Sequence, residues 1–174
     1  MPRILCYGDS NTWGYDPQAD ARLDGSVRWP GVLAALLGSE FTVIEEGLIG
    51  RTTNRSYPHR PGRNGADYLA PCLDSHFPLD VVMLMLGTND AKEEFGCTAE
   101  QIAAGMDPLV DTVLGKGLED PSPDVRVILV APPPVREIAS NLGRMRGASA
   151  KIAALGPLYR ELSIRRGLGF VDLS

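Results

Sequence analysis

The feature that most constrains the fold is the run Val81-Val82-Met83-Leu84-Met85-Leu86. It is nearly continuous apolar sequence, the pattern of a central strand buried on both faces. Such strands belong to parallel sheets wrapped by helices, and the rest of the chain agrees. Residues 3–7 read as a first strand ending at Gly8, and residues 41–45 as a second. Residues 125–130 form a fourth, stopped by Pro132-Pro133-Pro134, and Gly169-Phe170-Val171-Asp172 begins a fifth. Longer amphipathic stretches at 29–37, 65–76, 98–114 and roughly 147–166 read as the intervening helices. Thr98 and Gln101 are spaced as a capping box for the third of them. The expected architecture is a single α/β domain over residues 1–174, with a five-stranded parallel sheet of flavodoxin-like order.

At 174 residues the chain is long enough for a real core, and no linker divides it. A net charge of −5, with both signs mixed along the chain, argues against nucleic acid or an anionic membrane as partner. One basic cluster stands out, Arg51, Arg55, His59, Arg60 and Arg63, and reads as a solvated loop. No apolar run approaches the roughly 20 residues of a membrane span. Cys6, Cys72 and Cys97 form neither a close pair nor a dense framework, which suits free thiols in a reducing cytoplasm. No spacing suggests a metal site; Glu45-Glu46 and Glu93-Glu94 read as surface charge. No cofactor is expected.

The two long loops, 11–28 and 48–64, follow the C-terminal ends of strands, where open α/β sheets build their sites. Gly8-Asp9-Ser10-Asn11 sits where the first strand turns, so the Ser10 hydroxyl points into the crevice above the sheet. Amides just after such a turn can face an incoming carbonyl. Gly47-Leu48-Ile49-Gly50-Arg51 follows the second strand, and its glycines let backbone N–H groups approach a ligand. Gly87-Thr88-Asn89-Asp90 follows the most hydrophobic strand, and Asn89 could offer its side-chain amide to the same point. Each stretch alone is also what an ordinary turn looks like. Together they fall at the tops of three strands that are neighbours in a flavodoxin-like order.

With these blocks in place the sequence resembles the SGNH hydrolase family, the GDSL-type esterases and lipases. Gly8-Asp9-Ser10 looks like the nucleophile block, Gly50 like the oxyanion glycine, and Gly87-Thr88-Asn89-Asp90 like the asparagine block. The longer runs from Ile4 to Gly14, from Glu45 to Asn54, and Val27-Arg28-Trp29-Pro30 look like the bacterial arylesterase and acyltransferase branch. The resemblance implies a serine ester hydrolase acting on short-chain, aryl or carbohydrate esters, with acyl transfer as a further activity of that branch. Ser10 would be its nucleophile, with Gly50 and Asn89 binding the oxyanion. A homo-oligomer is expected beside the small ester substrate.

The family also carries an Asp-x-x-His block after its fifth strand, supplying the general base and its orienting acid. This sequence reaches Asp172-Leu173-Ser174 without one. His59 lies in the basic loop with no Asp three residues before it, and His76 closes a helix, a place where histidines are usually structural. Asp172 reads as a strand-end residue. The expectation is therefore a base on a separate C-terminal fragment of the same polypeptide, with the last helix missing from this chain. Trp13, Tyr15 and Trp29 are candidates to wall an acyl or aryl pocket. Two other classes stay open: a phosphate- or flavin-binding module of flavodoxin type, and an ester-binding relative without catalysis.

Overall fold

The computed structural model describes residues 1–119 and 125–174. Strand β1 (Arg3–Gly8) leads into the short helix α1 (Ser10–Trp13) and a two-stranded hairpin, β2 (Tyr15–Asp16) with β3 (Ala21–Arg22). Helix α2 (Trp29–Leu37), strand β4 (Thr42–Gly47), helix α3 (Gly65–His76) and strand β5 (Val81–Met85) follow. A 3-10 turn at Glu93–Phe95 precedes α4 (Ala99–Ala104) and α5 (Asp107–Glu119). The chain then runs through β6 (Arg126–Ala131), α6 (Leu142–Met145), α7 (Ala148–Arg166) and β7 (Gly169–Asp172).

The main sheet is five-stranded, in the order β4-β1-β5-β6-β7, and every pairing is parallel. In chain order of its strands this is 2-1-3-4-5, the flavodoxin-like order, with the switch point between β1 and β5. The register aligns Leu5 with Ile44 and Val82, and Val82 with Val127, so these side chains share one face. That face holds the core. Leu5, Tyr7, Val82, Leu84, Leu86 and Leu129 are buried there with Leu69, Leu73, Val110, Ile152, Leu155 and Tyr159 from the helices.

The opposite face is covered over β4 by α2 and opens toward β7. Ile4, Cys6 and Met85 on it are buried, whereas Val81, Met83 and Ile128 are half-buried and Val171 is exposed. No helix of the described residues is long and apolar enough to cross a membrane.

Local signals account for most helix ends. Pro30 sits in the first turn of α2, where its missing N–H costs nothing. Asn64 caps α3 by accepting the Ala66 N–H. The expected capping box is formed: Thr98 Oγ1 accepts from the Gln101 amide and Gln101 Oε1 from the Thr98 amide. The single helix expected over 98–114 is instead two, α4 and α5. Pro108 explains the break, because in a continuous helix its ring would strike the carbonyl of residue 104. The loop expected over 11–28 contains α1 and the β2–β3 hairpin.

Candidate active site

The three blocks singled out in the sequence stand on adjacent strands and meet. Ser10 is the first residue of α1, directly beyond β1, and is half-buried. Asp9 caps that helix, its Oδ1 accepting the Asn11 amide at 2.9 Å. Helix α1 lies hard against β4, because a Cβ on Gly47 would fall 2.2 Å from the Trp13 backbone nitrogen. Glycine at 47 is what lets the turn that carries Ser10 approach the neighbouring strand so closely.

Gly50 follows β4 with φ +86°, a left-handed conformation that favours glycine. It is buried, and its N–H has no backbone acceptor among the described residues. Beyond β5, Asn89 is 6% exposed. Its Nδ2 donates to the Arg51 carbonyl at 3.0 Å and, more weakly, to Asp9 Oδ2 at 3.3 Å. Asn11 Nδ2 donates to Thr88 Oγ1 at 3.3 Å, a second tie between the first and third blocks. The candidate nucleophile, the Gly50 amide and the Asn89 amide are thus held in one cross-linked set of loops.

Two buried carboxylates secure that set. Asp90 accepts the Thr53 amide at 3.0 Å on each oxygen and the Thr53 hydroxyl at 2.6 Å, tying the loop after β5 to the loop after β4. Burial raises its pKa above the ordinary range, and the Thr53 hydrogen bonds oppose the shift. Asp9 is fully buried, and desolvation pushes its carboxyl up to about 6 against the lowering pull of Asn11.

Arg51 departs from the expectation of a solvated basic loop. It is 2% exposed, whereas His59 and Arg60 of the same cluster are exposed and Arg55 and Arg63 half-buried. Its guanidinium lies 4.0 Å from the centre of the Tyr7 ring and 5.2 Å from that of Tyr68. Lys92, three residues past Asn89, donates to the Tyr57 hydroxyl at 2.8 Å, and burial lowers its pKa.

Nor are Glu45 and Glu46 free surface charges. Glu45 Oε2 pairs with Arg28 at 2.8 Å and Arg22 at 3.1 Å. Glu46 Oε1 lies 3.0 Å from His76 Nε2. Cys72, one helical turn before His76, completes the one group of possible metal ligands among the described residues, with ligand atoms within 4.8 Å of one another. Strand spacing could not reveal it, since Glu46 is 30 positions from His76. The Arg51 guanidinium stands 4.0 Å from the same carboxylate, and burial pushes the Cys72 thiol up to about 12. Within the group Glu46 is already engaged by His76, beside a thiol that burial keeps protonated.

The remaining candidates are placed as follows. His76 is engaged by Glu46, and His59 sits in the exposed part of its loop. Asp172 accepts from Ser174 at the end of β7. Trp29 donates Nε1 to Thr12 Oγ1 at 3.3 Å, Trp13 carries Arg22 over its ring, and Tyr15 donates to Asp20. Cys6 is buried in β1, where desolvation pushes its thiol up to about 12, far from a reactive thiolate.

Comparison with known proteins identifies the family and the fold. Residues 6–174 match the model of the GDSL-like lipase/acylhydrolase family. Among solved structures the chain is similar to a carbohydrate acetylesterase from Sinorhizobium meliloti, at 39% identity and a TM-score of 0.93, over 99% of this chain and 84% of that one. It is similar also to the native aryl esterase of M. smegmatis, at 43% identity and a TM-score of 0.92, again over 99% and 84%. The inhibitor-bound form of that esterase aligns at 40% identity and a TM-score of 0.91, with the same coverage. No curated protein matches in sequence. With the family match running from the first strand to Ser174, on a fold that superposes throughout, this chain belongs to the GDSL-like lipase/acylhydrolase family.

Proposed function

We propose that this chain carries the nucleophile and oxyanion site of a serine esterase that cleaves short-chain aryl or carbohydrate esters through an acyl-serine intermediate. The observation that carries the reading is the tying together of the three blocks above adjacent strands, with Asn89 Nδ2 bonded to Asp9 beside Ser10 and to the carbonyl of Arg51 beside Gly50. The similar aryl esterase and carbohydrate acetylesterase support the substrate class.

In this reading Ser10 Oγ attacks the ester carbonyl carbon, and its proton passes through a base to the departing alcohol. The developing oxyanion is met by the Ser10 and Gly50 amides and by Asn89 Nδ2. Both protons of that Nδ2 have acceptors in the resting site, so the oxyanion takes the one shared with Asp9 at 3.3 Å and leaves the 3.0 Å anchor in place. Water then resolves the acyl-enzyme, or an acceptor alcohol does so with transfer of the acyl group.

The reading assigns the base to neither His76, which is held by Glu46, nor His59, which sits in the exposed part of its loop. The test uses the full-length polypeptide, with fluorophosphonate labelling and p-nitrophenyl acetate hydrolysis as readouts. Wild type should label at Ser10 and turn over, and Ser10→Ala should do neither while keeping its fold. Undiminished turnover in Ser10→Ala would sink the assignment.

A further inference from the structure

Arg51 is bonded to the nucleophile and asparagine blocks of the candidate site and belongs to the third. Its Nη1 donates to the Gly8 carbonyl at 3.0 Å and also to the Glu46 carbonyl. Gly8 is the last residue of β1, one peptide before Asp9-Ser10, and its carbonyl also accepts the Leu48 amide at 3.1 Å. The Arg51 main chain follows Gly50 directly. Its amide closes the turn onto the Leu48 carbonyl at 3.0 Å, and its own carbonyl receives Asn89 Nδ2 at 3.0 Å.

One residue therefore holds the nucleophile turn with its side chain, and the two other oxyanion donors with its backbone. The guanidinium packs on the rings of Tyr7 and Tyr68, and Tyr7 is itself tied down, donating its hydroxyl to the Gly65 carbonyl at 2.7 Å.

Stability alone does not account for this arrangement. The guanidinium is almost wholly out of water; among the described residues its Nε is buried without a partner and its one carboxylate neighbour, Glu46, stands at 4.0 Å. A buried cation with one long ion pair is a poor stabiliser compared with an apolar side chain of similar volume. Nη1 makes both carbonyl bonds while the guanidinium packs on the two rings, a contact that the compact, strongly hydrated ammonium of a lysine does not reproduce.

We propose that Arg51 is a positioning residue that sets the spacing between Ser10 and its oxyanion donors Gly50 and Asn89, an inference that rests on the esterase reading above. The experiment compares Arg51→Met, Arg51→Lys and Glu46→Gln with wild type in the full-length polypeptide. It measures thermal unfolding, kcat and KM on p-nitrophenyl acetate, and the rate of fluorophosphonate labelling at Ser10.

Both Arg51 variants should lose about 10- to 100-fold in kcat with KM nearly unchanged, because the interactions they misplace are made in the transition state. The labelling rate should fall by a similar factor. Glu46→Gln removes the ion pair and keeps both carbonyl contacts, so its kcat should stay within about threefold of wild type. A folded Arg51→Met with wild-type kcat and labelling overturns the inference, as does a Glu46→Gln that falls as far as Arg51→Met. Should Arg51→Met fail to fold, Arg51→Lys decides: wild-type kcat there means that charge alone suffices and the positioning role is wrong. A wild type that neither labels nor hydrolyses defeats the esterase reading itself. Activity in wild type with no loss in the variants defeats only the role of Arg51.

Discussion

Asn89 Nδ2 donates to the backbone carbonyl of Arg51 across 3.0 Å, joining residues 38 positions apart. The bond crosses from the loop after the central strand β5 to the loop after the edge strand β4, over the top of β1 where Ser10 begins its helix. It leaves the second proton of the amide on a longer 3.3 Å contact with Asp9, the weaker of the two and the one available to a ligand.

Asn89→Ala removes that donor while leaving the Arg51 carbonyl in a turn that the Leu48 carbonyl still closes. In the full-length polypeptide kcat should fall by roughly 10²–10³-fold, with KM little changed, as for loss of one oxyanion donor. Steady-state kinetics on a short-chain aryl ester measure it. A loss confined to KM would mean that Asn89 only binds the substrate.

Asp9 makes the fold sensitive to pH in a direction opposite to that of a salt-bridged carboxylate. Its carboxyl goes from 3.8 in an unfolded chain to about 6 in the buried site. Between those values the unfolded chain binds fewer protons than the folded one, so raising the pH favours unfolding. The Asp9 contribution should fall by up to about 3 kcal/mol between pH 4 and 6 and stay level above that. Asp9→Asn lacks the titration, so urea unfolding of the two proteins should show the variant gaining on wild type across this window. A constant difference would refute the placement of a buried, ionisable carboxyl there.

Gly47→Ala tests how closely α1 must approach β4. The added methyl would fall 2.2 Å from Trp13 N and 2.6 Å from the Thr12 carbonyl carbon, both backbone atoms that cannot yield as a flexible side-chain tip would. The variant should lose about 1–3 kcal/mol by overpacking. Because α1 begins at Ser10, fluorophosphonate labelling should slow in the fraction that stays folded. Labelling at the wild-type rate would show that the turn tolerates displacement from β4.

Much of this molecule was legible along the chain. Residues 29–37 and 65–76 are helical over the expected spans because their signals are local: Pro30 in a first turn, Asn64 at a cap. The apolar run at 81–86 supplies the central strand β5, although only its core face is fully buried and Val81 and Met83 on the other face are half-buried. Ser10, Gly50 and Asn89 could be picked out because each follows a strand within a few residues, and the order of the strands then makes them neighbours. The break between α4 and α5 was legible too, in Pro108, but the longer apolar pattern across 98–114 obscured it.

What the sequence could not carry was burial and partnership. Arg51 looked like its basic neighbours and is the cluster's buried member, because the rings of Tyr7 and Tyr68 close over it from distant elements. Glu46 and His76 pair across 30 positions, and Asn89 and Asp9 across 80. The shift of Asp9 exists only where the fold removes water from its carboxyl. Local pattern determines where strands and helices form, since it acts through neighbouring residues on the same element. Which polar groups lose their water, and what replaces it, depends on surfaces brought together from distant parts of the chain, and only the tertiary structure decides that.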